Sequence, residues 1–61
     1  MASSTELRSF QKQHLMALLK IKRANLGKTV DGLDEALELA VGVMEQEDVA
    51  YIEKLIGVKA F

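Results

Sequence analysis

The chain contains no cysteine. Disulfides and thiolate metal sites are therefore excluded, and with them two of the usual staples of a small domain. It contains no proline, so nothing in the sequence forces a helix to stop. There is one histidine, His14, so a zinc-type site would lack a second imidazole as well as thiolates. Long apolar runs are also missing. The longest nearly apolar stretch is ALELAVGVM, residues 36–44, which contains Glu38. A membrane-spanning helix needs about 20 apolar residues. The opening MASSTELRSF has no apolar core, and no signal peptide is expected there. The expected setting is cytoplasmic, with no membrane partner and no cofactor.

What is present is helix-forming. The 61 residues are rich in Leu, Ala, Glu, Lys and Gln and show no alternating strand pattern. They make one small helical domain at most, covering residues 1–61. Hydrophobic residues are 49% of the chain, high for so little interior, and this favours self-association.

A first helix is expected from about residue 4 to 25. Ser3 and Glu6 form a capping-box pattern. Steps of 100° per residue gather Leu7, Phe10, His14, Ala17, Leu18, Ile21 and Ala24 into one stripe, expected to face the core. Gly27 can close the helix in the left-handed conformation. A second helix is expected over about residues 31–46, with Asp31 as its N-cap. Leu33, Ala36, Leu37, Ala40, Val43 and Met44 share a face of it. An undisturbed continuation would put Glu47 in the middle of that face and turn Val49, Ile52, Leu55 and Ile56 roughly 100° away. A break near residues 45–48 resolves the conflict, with Asp48 capping a third helix over about residues 48–57. The alternative is one long helix whose halves touch different neighbours. The fold class is therefore all-α: an antiparallel helical hairpin plus a short third helix, closing its core as a homodimeric bundle.

Gly27-Lys28-Thr29 has the ending of a phosphate-binding loop. Such a loop needs an earlier glycine and a preceding strand; here Lys22 stands at the glycine position and a helix precedes. The acidic clusters around Asp31–Asp34 and Glu45–Asp48 lack the ligand alternation of a calcium loop. His14, within the apolar stripe, reads as a packing histidine whose protonation would loosen helix contacts. No arrangement suggests a nucleophile or a paired general acid and base, so no enzyme is expected.

Charge is divided along the chain. Six bases against Glu6 alone give residues 1–28 a formal +5, and two bases against eight acids give residues 29–61 −6. The two halves can pair with each other, or the basic half can face an acidic partner or nucleic acid. Leu15 and Leu19 lie outside the expected core stripe, with Met16 beside them and Arg8, Lys12, Lys22 and Arg23 on the same face. They either pack under the third helix or a second subunit, or form a strip that receives an acidic amphipathic helix. The expected function is a non-enzymatic regulator, adaptor or inhibitor that binds a protein partner through helix contacts at these seven residues. The alternative is a nucleic-acid binder using the cations of the first helix. A helix-turn-helix reader is disfavoured, because the second helix begins with acids that phosphate would repel. Self-association is expected through Leu37, Ala40, Val41 and Met44, with Gly42 permitting close approach.

Overall fold

The computed structural model describes residues 4–61. It is all-helical: α1 spans Ser4–Ala24, α2 Leu33–Gly42 and α3 Gln46–Ile56. Among the described residues there is no strand. α1 is the spine. Both shorter helices pack against it and meet each other only weakly. The expected capping box involves Ser3 and lies outside the described residues.

α1 ends as Asn25 bonds back to Lys22 and Gly27 takes φ +83°. A second turn follows, in which the Leu33 amide donates to the Val30 carbonyl at 3.2 Å. Gly32 fills the third place of this turn at φ +79°, a conformation costly for any residue with a Cβ. The expectation for Asp31 is thereby corrected. It lies in the turn, α2 starts two residues later, and Gly32 is the N-cap without a side-chain bond.

α2 ends at Gly42, four residues before the expected boundary. The chain then runs extended through Glu45, at φ −72° and ψ 145°, into α3. This break turns Glu47 out to solvent and the Val49–Ile52–Ile56 face inward. Asp48 does not cap α3. It sits in the first turn, where its charge favours the positive helix end, and it faces α1. Within the chain Gly42 makes no close approach, since a Cβ there would meet open space.

The core corrects the expected face of α1. Leu15, Leu18 and Leu19 are buried with Leu33, Leu37 and Ala40 of α2, Val49, Ile52 and Ile56 of α3, and Ala60. Leu15, Leu19 and Leu37 are 0% exposed. Of the seven residues of the expected stripe, only Leu18 is inside; Leu7, Phe10, His14, Ala17, Ile21 and Ala24 are exposed. The inward face of α1 is the one carrying its bulkiest aliphatic cluster, turned roughly 120° from the expected stripe.

Candidate functional site

The residues expected to form a partner-binding strip are mostly engaged inside the chain. Leu15 and Leu19 are fully buried and Met16 packs partly against the same core. The exposure on which the strip rested is absent. Of the readings open from sequence, packing beneath the third helix is the one this geometry displays.

The four cations of that face also have internal partners. Arg8 reaches Glu45 at 3.1 Å and Asp48 at 3.6 Å, and Lys12 reaches Asp48 at 3.5 Å. Lys22 Nζ donates to the Ala60 carbonyl at 2.8 Å, and Arg23 donates to the Ile56 carbonyl at 3.2 Å. The charge division therefore pairs α1 with α3 and with the chain that follows it. Each of these four cations thus has a partner within the chain.

Asp48 is the most sheltered member of the ionic cluster, with 22% of its side chain exposed. Asp48→Asn should lower stability by about 0.5–1 kcal/mol at low salt, through lost pairing and lost helix-end charge. Molar salt should erase most of that difference. Denaturant titrations of the two proteins at both ionic strengths provide the check. A deficit that salt does not reduce would mean that packing, not charge, fixes this joint.

The expected self-association residues are likewise inside. Leu37 and Ala40 are buried, and Val41 and Met44 pack partly against the core. They hold α2 to its own chain. With Leu37 0% exposed, a second copy cannot touch it while this core is closed.

A different surface is open. Leu7, Phe10, Gln11 and His14 of α1 and Leu39, Ala40 and Val43 of α2 line one groove. Phe10 is 67% exposed and Leu39 75%. The Phe10 and His14 rings lie nearly parallel, 5° apart in plane, with centroids 6.5 Å apart. This is within the range of an offset stack. Further along α1, Ala17 and Ile21 extend the same exposed stripe. No Asp, Glu, Lys or Arg side chain lines the groove. The stripe was legible as apolar from sequence; its partner ridge, Leu39 and Val43, was not separated from the rest of α2. The signal for it was that α2 is apolar nearly all round, so one flank had to remain uncovered.

Comparison with family models, curated proteins and solved structures finds no match. The open face is therefore judged on its chemistry. Among the described residues, no group of three or more His, Asp or Glu side chains is placed to hold a metal ion, and no helix is long and apolar enough to cross a membrane. Gly27, Lys28 and Thr29 lie on the turn after α1, beside Lys22, Asn25 and Leu26 in a shallow depression. Lys22 there is already bonded to the Ala60 carbonyl.

Proposed function

We propose that this chain, an antiparallel hairpin of α1 and α2 braced on one side by α3, is a non-enzymatic interaction protein. It acts as a regulator, adaptor or inhibitor through helix-to-helix contact. One observation carries the reading. The core closes within the chain, yet a continuous apolar face of α1 and α2 stays open, with Leu7, Phe10, Leu39 and Val43 each more than half exposed. Monomeric proteins seldom leave such a strip uncovered, and a groove between two helices fits the apolar side of a third.

The proposed contact surface is thus Leu7, Phe10, His14, Ile21, Leu39 and Val43, in place of the strip around Leu15 and Leu19. The test compares the wild-type chain with Phe10→Glu/Leu39→Glu as immobilised baits in extract of the native host. Both positions are exposed, so circular dichroism should show unchanged helicity. A protein retained by the wild type and lost from the double variant is the expected result. Identical capture by both baits would overturn this assignment of the surface.

A further inference from the structure

We infer that the open face pairs with the same face of a second copy. A two-fold axis along the helices lays α1 over the partner's α2. The inference rests on the interaction reading above and names its occupant. Three observations support it independently.

The first is area. Leu7, Phe10, Leu39 and Val43, each more than half exposed, give this face the large apolar side chains that a standard interface of about 800 Å² per partner buries.

The second is spacing. Leu7, Phe10, His14, Ala17, Ile21 and Ala24 alternate steps of three and four residues along exposed α1. That is the seam pattern by which one helix packs along another. α1 repeats it over nearly its whole length, and Leu39 and Val43 of α2 join it beside Leu7, Phe10 and His14. A second copy supplies helices of matching length.

The third is charge, and it selects the symmetry. Lys20 lies on the flank of α1 turned away from α2, and Glu35 and Glu38 on the flank of α2 turned away from α1. Among the described residues none of the three has an ion-pair partner within the chain. With the axis along the helices, the outer flank of α1 meets the outer flank of the partner's α2. Lys20 then faces the partner's Glu35, with the partner's Glu38 a turn further along. An axis across the helices would instead lay α2 over α2 and bring the acids together, which is unfavourable.

The experiment is sedimentation equilibrium of the purified full chain over a micromolar concentration series. The expected result is a reversible monomer–dimer equilibrium at twice the 6.7 kDa chain mass. Leu39→Glu should weaken the dimer at least tenfold. Lys20→Glu should weaken it a few-fold, as exposed ion pairs do. Adding Glu35→Lys and Glu38→Lys to Lys20→Glu should restore it. A wild-type chain that is monomeric throughout, a dimer indifferent to Leu39→Glu, or a charge reversal that is not rescued would each overturn the pairing. A strictly monomeric chain whose capture of another protein is still lost in Phe10→Glu/Leu39→Glu would overturn the second-copy inference and leave the interaction reading standing. A dimer intact in Leu39→Glu, alongside capture equal for both baits, would sink both.

Discussion

Leu37→Ala should cost about 2–5 kcal/mol of stability, while Leu39→Ala, two residues along the same helix, should cost less than about 0.5 kcal/mol. The sequence offers the same residue at both positions. The difference lies in where the backbone turns them. Leu37 is 0% exposed and stands among Leu15, Leu19 and Leu33. Removing its isobutyl group loses the transfer energy of the buried atoms and leaves a cavity that three helices must collapse to fill. Leu39 is mostly in solvent, so its truncation removes little buried surface in the single chain. The scale of the protein makes the contrast decisive. A core below about 70 residues rarely supplies more than 3–5 kcal/mol in total. Leu37→Ala should therefore leave the chain largely unfolded, or lower its thermal midpoint by more than about 10 °C. Thermal melts by circular dichroism in dilute solution, where the chain is single, read this directly. Equal midpoints for the two variants would mean that Leu37 is not at the centre of the core.

The same comparison explains which parts of the fold were legible. The break between α2 and α3 could be read because two apolar sets on one helix fell out of phase by about one residue's rotation. A straight helix cannot bury both against one neighbour. The end of α1 could be read because Gly27 stands where positive φ is needed, whereas Gly32 falls inside the expected second helix. The inward face of α1 could not be read by counting apolar positions. α1 has two apolar faces, and the wider one, with Leu7, Phe10 and Ile21, is the one left outside.

Two signals favoured the other face. The long aliphatic residues Leu15, Leu18 and Leu19 cluster there, whereas the wider stripe includes His14, Ala17 and Ala24, which bring little apolar bulk. Arg8 and Lys12 beside that cluster were expected to ring a strip that binds a partner. They are bridges, because the acids at Glu45 and Asp48 come from a distant part of the chain. Long cations can flank a buried seam while their charged ends meet a neighbouring element. Helical periodicity alone contains no information about which element that will be. Asp31 failed as a cap for a related reason: the turn was closed by backbone, through Val30 and Leu33, with Gly32 supplying the geometry.

The segment after α3 should behave as a strap, and Ala60→Asp should release it. Gly57 reverses the chain at φ +84°. Its amide and that of Val58 both donate to the Glu53 carbonyl, at 2.8 and 3.2 Å. Three residues on, Ala60 is 1% exposed. Its amide donates to Glu53 Oε2 at 2.8 Å, and its carbonyl accepts from Lys22 at 2.8 Å. This ties the end of the described chain to α1 and α3 at once. A carboxylate placed at position 60 would be buried beside the Glu53 carboxylate, and burial of an unpaired charge is costly. Detachment is the cheaper response, because opening a terminal segment leaves the helices intact. The loss is then capped at the docking energy of the strap, about 2–3 kcal/mol for two charge-assisted hydrogen bonds and a small apolar contact. The thermal midpoint should fall by roughly 10 °C, and the amide at position 60 should exchange freely while those of Leu19 and Ile52 stay protected. An unchanged midpoint would show that the strap contributes nothing. Collapse of all helical protection would show that it cannot open alone. Release would also free Lys22 and uncover part of α3, on the side of α1 away from the Leu39 ridge. Self-pairing in Ala60→Asp should therefore remain close to wild type, which separates a strap that braces the fold from a face that meets a partner.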